Sequence, residues 1–222
     1  MKTFSIHIVR RYGSVGGMEN YVYELTQSLA HQGQRILILC EKSYEVLDDI
    51  HPIDSLKVVE LGNAYSKPRW LAQWGFSRRV SNYLLSTPCE GAIVHSHERS
   101  SSHQVTTFHG PPFLNRKCRF LDFLSPRIHM WSYLEKRELL ACNVKAVLPN
   151  SPLIAEQLIR FYPDVKPKVM PPAYPGVAAH FSDIKRQSTG VTVGFLGREW
   201  KRKGLDIACQ ILLDLRELIP NK

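Results

Sequence analysis

Residues 4–31 read FSIHIVRRYGSVGGMENYVYELTQSLAH, and the glycines in the middle of that stretch decide the fold. Phe4–Val9 is a short apolar run of the kind a buried parallel strand needs. Gly13, Gly16 and Gly17 follow it. Tyr21, Val22, Leu25, Leu29 and Ala30 then recur at helical spacing, with Gly33 as a helix stop. Arg35–Cys40 (RILILC) is a second apolar strand, so the segment reads as a βαβ unit with a right-handed crossover.

The alternation continues outward. Strands are expected at Leu56–Leu61, Gly91–His95, Val105–His109, Lys145–Pro149 and, last and shortest, Lys168–Met170. Helices are expected at Trp70–Ser86, across a long segment from about Lys117 to Cys142, and at Pro152–Tyr162. Asn150 or Ser151 can cap the last of these, with Pro152 in its first turn. Strands alternating with helices define an α/β, doubly wound, Rossmann-like parallel sheet. We assign residues 1–170 to this domain and residues 171–190, which open on PPAYPG, to a linker. Residues 191–222 then repeat the opening pattern: a strand at Val191–Leu196, the turn GREWKRKG, and a helix from Leu205 to Ile219. This is the first β-α step of a second, incomplete Rossmann-like domain. Its apolar stripe of Leu205, Ile207, Ile211, Leu212, Leu215 and Leu218 is expected to stay exposed unless it folds back or finds a partner.

Composition narrows the function. The 29 Lys and Arg against 20 Asp and Glu give +9, which favours a phosphorylated ligand, an anionic membrane surface or nucleic acid. Neither an RNP signature nor zinc-finger spacing is present, which argues against nucleic acid. No apolar run reaches the roughly 18 residues of a membrane span. Phe4–Val9 is too short for a signal-peptide core and contains His7, so a cytoplasmic chain is expected. Five cysteines without CxxC spacing read as reduced, mostly buried thiols.

Glycines between a strand and a helix N-terminus suit an anion, because the backbone can approach closely and the helix dipole favours phosphate. Gly16 and Gly17 meet that need, although the spacing is not GxGxxG and only Glu41 ends the second strand with an acid. A tight turn without a ligand explains the glycines equally well. His109 ends a strand before Gly110-Pro111-Pro112, which puts it at the carboxyl edge of the sheet, where open α/β folds bind ligands. His95 and His97 are expected to alternate along a strand onto opposite faces, leaving one of them for that edge, and no metal site is expected from His95, His97 and His103. The segment Lys67–Leu85 mixes Trp70, Trp74 and Phe76 with Arg78 and Arg79. It reads either as an amphipathic surface for anionic lipid or as an ordinary surface helix.

The motifs GSVGGMENYVYEL, IVHSHE, VTTFHG, AVLPNSPLIAEQL, KVMPPAYPGV and VGFLGREWKRKGLD follow one another in an order that resembles retaining glycosyltransferases of the GT-B fold, family 4. Their wording is similar to that of bacterial enzymes of lipopolysaccharide and surface-glycan assembly. The resemblance implies a nucleotide-sugar donor, a glycan or lipid-linked acceptor, and no metal or other cofactor. It implies that Gly16 and Gly17 lie near the donor diphosphate, with Arg198 and Lys203 on it from the second domain. It further implies that His109 supports catalysis beside the sugar and that His97, Glu98 and Arg99 line the acceptor side. Trp70, Trp74, Arg78 and Arg79 would dock the chain peripherally on the inner membrane face. The family's paired-glutamate donor motif has no counterpart before Lys222. The expectation is therefore a fragment, a truncated reading frame or half of a split enzyme, poorly active without a complementing C-terminal half. Two rivals are a stand-alone acceptor- or membrane-binding module and a Rossmann dehydrogenase; the absent GxGxxG weakens the second.

Overall fold

The structure is a computed structural model that describes residues 3–44, 55–63, 65, 67–116, 122, 124–176, 194–195 and 200–218. It comprises two compact units, residues 1–178 and 179–222. In the first, the strands are β1 (Phe4–Ile8), β2 (Arg11–Tyr12), β3 (Arg35–Cys40), β4 (Lys42–Ser43), β5 (Leu56–Glu60), β6 (Ile93–Ser96), β7 (Val105–Phe108) and β8 (Ala146–Pro149). The helices are α1 (Gly17–His31), α2 (Arg69–Ser86), α3 (Pro126–Leu140) and α4 (Pro152–Phe161).

Six strands form one all-parallel sheet in the order β5-β3-β1-β6-β7-β8. The order runs outward from β1 in one direction and from β6 in the other, the Rossmann arrangement, and the switch point lies between these two strands. Ile6 and Ile8 of β1 and Leu37 and Leu39 of β3 meet Phe76 and Val80 of α2 on one face; Ile36, Ile38 and Cys40 pack with Val22 and Ala30 of α1 on the other. Both faces are thus covered, and for that reason the strands read as unbroken apolar runs. A further cluster, Phe108, Leu139, Val147, Ile154 and Leu158, joins β7 and β8 to α3 and α4.

The structure departs from the sequence reading at several elements. α3 starts at Pro126, not near residue 117; Ser125 is its N-cap, and Pro126 suits a first helical position because it lacks the N–H the first turn leaves unpaired. Residues 117–121 and 123 lie outside the described residues. The expected strand at Lys168–Met170 is reduced to a single bridge, Val147 to Val169, because Pro163–Lys168 forms a 3-10 helix that contains two prolines. The two-residue pair β2–β4 was not foreseen. Of the described cysteines only Cys40 is buried, and Cys142 and Cys209 are exposed; Cys118 lies outside the described residues.

In the second unit the described helices are α5 (Trp200–Lys203) and α6 (Leu205–Leu218), separated by Gly204 at φ +75°. Half of the expected turn GREWKRKG is therefore helical. The expected strand at Val191–Leu196 and the glycine and arginine of that turn, Gly197 and Arg198, fall outside the described residues, apart from Gly194 and Phe195. Ile207, Ile211, Leu212 and Leu215 are exposed along α6. Among the described residues no helix is long and apolar enough to cross a membrane.

Candidate active site

A cavity of about 170 Å³ opens at the carboxyl ends of β6 and β7. It is lined among others by Met18 of α1, by His97, Glu98 and Arg99 from the segment after β6, by His109 after β7, and by Glu138 of α3. The sheet places these groups together: β6 and β7 are neighbours, so the chain leaving each strand emerges at one edge. Asn150, just past β8, reaches across and donates to the His109 carbonyl (3.0 Å), which anchors that turn.

His95 and His97 do not face opposite ways. Their ring centroids are 4.3 Å apart. Positions two apart on an extended chain share a face, and the strand ends at Ser96, where His97 N bonds Ile8 O of β1. His7 of β1 completes the cluster, 5.1 Å from the His95 ring and 5.5 Å from that of His97. His95 Nε2 lies 2.7 Å from Thr107 Oγ1, and Tyr21 of α1 meets the His109 ring edge-on at 5.2 Å. Burial lowers the pKa of His7 and of His109 to about 4, and those of His95 and His97 well below the ordinary value. The cluster is uncharged at neutral pH, so its rings hydrogen-bond as neutral imidazoles.

The carboxylates behave differently. Burial raises Glu98 to about 7 against the pull of Arg10 and Arg99. Gln73 of α2, in the amide orientation that satisfies both its ends, donates to Glu98 Oε2 (3.1 Å) and accepts from Arg99 N (3.3 Å). Glu138 is likewise raised to about 7, by burial first, while it accepts from Thr106 Oγ1 (2.9 Å). Arg99 pairs with Glu135 Oε2 (2.7 Å), stands 3.9 Å from Glu138 and lies over the Trp131 ring. Glu135 also accepts from Phe113 N and Tyr162 Oη, which ties the loop after His109 to α3 and α4's exit. Perturbed acids and bases around one cavity make it the candidate functional site.

Gly16 is the N-cap of α1, and Gly13 has φ +128°, which only glycine adopts comfortably. A side-chain carbon on Gly16 would run into the Glu19 carboxylate, which pairs with Arg11 at this helix end. One at Gly17 would meet nothing within 4 Å. Lys203 ends α5, and Arg198 lies outside the described residues. On α2, Trp70, Trp74 and Arg78 succeed one another every fourth residue, with Arg78 4.9 Å over the Trp74 ring. Arg79 instead turns to Glu41 (3.2 Å), which Arg10 also holds at 2.7 Å, so this arginine is committed inside the protein.

The sequence reading missed His7, Glu135 and Glu138. Each had a signal: a histidine inside the apolar run FSIHIV, and two acids three residues apart beside Leu134 and Leu139 on the buried face of α3.

Fold and site together define a Rossmann-like domain with an ionisable pocket at its switch-point edge. The family model of Glycosyltransferase Family 4 matches residues 15–178, and the chain belongs to that family. No curated protein matches the sequence. Among solved structures, the chain is similar to WaaG, a glycosyltransferase involved in lipopolysaccharide biosynthesis, at 13% identity and a TM-score of 0.62, covering 76% of this chain and 44% of that one. A glycosyltransferase from Rickettsia africae ESF-5 aligns at 18% identity and a TM-score of 0.51, covering 82% of this chain and 46% of that one. These likenesses establish the fold, and the chain spans less than half the length of either structure.

Proposed function

We propose that this chain supplies the acceptor side of a retaining glycosyltransferase that moves a sugar from a nucleotide-sugar donor to a bacterial surface glycan such as lipopolysaccharide core. The observation that carries the reading is the pocket lined by His97, Glu98, Arg99, His109 and Glu138 in a family 4 domain. The part that WaaG plays in lipopolysaccharide biosynthesis supports the choice of acceptor.

The groups suit the chemistry. A neutral His109 can hydrogen-bond a sugar hydroxyl without charge repulsion against the oxocarbenium character that develops at the reacting carbon. Glu98, with a pKa near 7, can exchange a proton with an acceptor hydroxyl, while Arg99 and His97 orient it. The departing nucleoside diphosphate gains negative charge. Arg198 and Lys203 are the cations proposed to meet it, and the backbone at Gly16 and Gly17 would pass close to it. Lys203 ends α5, whereas Arg198 is proposed from the sequence motif alone. The Glu19 carboxylate beside Gly16 makes Gly17 the better point of approach for an anion. Trp70, Trp74 and Arg78 would rest on anionic lipid near a membrane-linked acceptor.

The test incubates the purified chain with deacylated lipopolysaccharide core and a panel of uridine, adenosine and guanosine diphosphate sugars, and reads product mass. The expected result is little transfer by the chain alone and, with the C-terminal half of a family 4 glycosyltransferase added in trans, transfer that drops about 100-fold or more in His109→Ala. Calorimetric binding of the core glycan, with no diphosphate sugar bound and no product even when the C-terminal half is present, would replace the enzyme by an acceptor-binding module.

A further inference from the structure

Four side chains stand in a hydrogen-bonded row from the middle of β1 to the pocket. Ser5 Oγ is 3.2 Å from His7 Nε2, His7 Nδ1 is 3.2 Å from His97 Nε2, and His97 Nδ1 is 3.3 Å from His109 Nε2. Every imidazole–imidazole link joins Nδ1 of one ring to Nε2 of the next. A neutral imidazole carries one N–H and one lone pair, and burial keeps these rings neutral at neutral pH.

Head-to-tail order then leaves two self-consistent arrangements. Either all three rings carry the proton on Nδ1 and donation runs from Ser5 toward His109, or all three carry it on Nε2 and donation runs back to Ser5. The Ser5 hydroxyl can end the row in either direction. Any mixture sets two N–H groups or two lone pairs face to face in a buried place, where an unmade hydrogen bond is costly.

We propose that His7 and His97, with Ser5 at the far end, are positioning residues that tie the tautomer of His109 to their own, so that one choice for the whole row sets whether its remaining nitrogen, Nδ1, offers a proton or a lone pair. His7 and Ser5 do not line the pocket, so they act only through His97. The consequence for sugar binding rests on the role proposed above for His109; the tautomer lock itself does not.

A metal ion is the competing occupant. Ligand nitrogens of His7, His95 and His97 lie within 4.8 Å of one another. Zn–N bonds of about 2.0–2.1 Å in a tetrahedral site set nitrogens about 3.4 Å apart, so binding an ion would draw the three rings into that spacing. An ion between His7 and His97 would also take the nitrogens that now bond each other, so row and ion exclude one another.

The experiment is ¹⁵N NMR of histidine-labelled full-length protein at pH 7.5, without sugar or nucleotide, with signals assigned by single His→Gln variants. The expected result is one tautomer shared by His7, His97 and His109. In His7→Phe, checked for folding by circular dichroism, the tautomer ratio of His109 changes by about 2- to 10-fold, the worth of one hydrogen bond. If that variant does not fold, Ser5→Ala provides the same readout. Different tautomers among the three rings, a His109 ratio unmoved in the folded variant, or metal-type shifts on adding equimolar zinc would each overturn the proposal. Absent transfer activity alongside a shared tautomer would count against the sugar role of His109 alone.

Discussion

Glu135 is fully buried and holds three donors at once: Arg99 Nη2, Phe113 N and Tyr162 Oη. Removing it takes the acceptor from Phe113 N and Tyr162 Oη and leaves Arg99, 26% exposed, with only the more distant Glu138. Glu135→Ala should therefore cost about 3–5 kcal/mol in urea unfolding, as breaking a buried pair does, and Glu135→Gln clearly less. Equal losses in the two variants would show that packing and not hydrogen bonding sets the cost. The two glycines before α1 separate structure from function at the same scale. Gly16→Ala drives a methyl group into the Glu19 carboxylate, the end of a flexible side chain that can turn away only by leaving Arg11, and should destabilise by about 1 kcal/mol. Gly17→Ala has open space and a helical position, so its melting temperature should match the parent or exceed it. A drop in donor affinity in Gly17→Ala with unchanged stability would locate the phosphate there; a drop in stability would refute the open-space reading.

At the scale of the element, α2 has two faces with different duties. Ala72, Gln73, Phe76 and Val80 are buried, and Gln73 reaches the pocket acid Glu98. The row Trp70, Trp74 and Arg78 is half-buried to exposed and carries a cation on an aromatic ring. Under the proposed membrane docking this row would lie at the boundary of an anionic bilayer. In flotation with vesicles containing phosphatidylglycerol, the protein should bind. Trp70→Ser with Trp74→Ser should release it without changing the urea midpoint by more than about 1 kcal/mol equivalent. Binding unaffected by the pair would return α2 to a plain surface helix. Arg79→Ala tests the opposite duty: it removes a partner from buried Glu41 and should lower stability while leaving vesicle binding alone.

The whole molecule carries an unusual load of buried titratable groups. His7, His103 and His109 are lowered to about 4, and His95 and His97 well below the ordinary value, by burial in each case. A histidine whose folded pKa is depressed stays neutral in the native state while the unfolded chain takes up its proton below about pH 6.5. Stability from these groups is thus lost as pH falls from about 6.5 toward 4. Glu98 and Glu138, raised from 4.5 to about 7, act the other way: the fold binds their protons more tightly, so their cost accumulates as pH rises from about 4.5 to 7. Five histidines outweigh two acids on the acid side, so the urea midpoint should peak near pH 7 and fall toward pH 5, with a slope on the order of a few kcal/mol per pH unit. A midpoint that stays level from pH 7 to pH 5 would mean that the cluster takes up water and charge without unfolding.

Much of this architecture was legible in the chain. Apolar runs such as RILILC, the helical spacing after Gly17 and the cap Ser151, whose Oγ accepts from Ile154 N at 3.3 Å, are local signals, and local sterics and burial obey them. With right-handed crossovers, those signals alone led to the Rossmann-like sheet and put His109 at its ligand-binding edge. The composition of the site was another matter. His7 and His97 are 90 residues apart, Arg99 and Glu135 36, and Tyr162 and Glu135 27. Which ring faces which, and which acid stays protonated, depends on groups delivered by separate strands and helices and on the water they exclude. A residue's spacing from its neighbours carries no information about those partners. Sequence alone therefore determined the sheet and the edge at which the pocket opens. Only the tertiary structure decided that a buried row of neutral histidines stands behind the pocket, because hydrogen bonding and desolvation act through space and not along the chain.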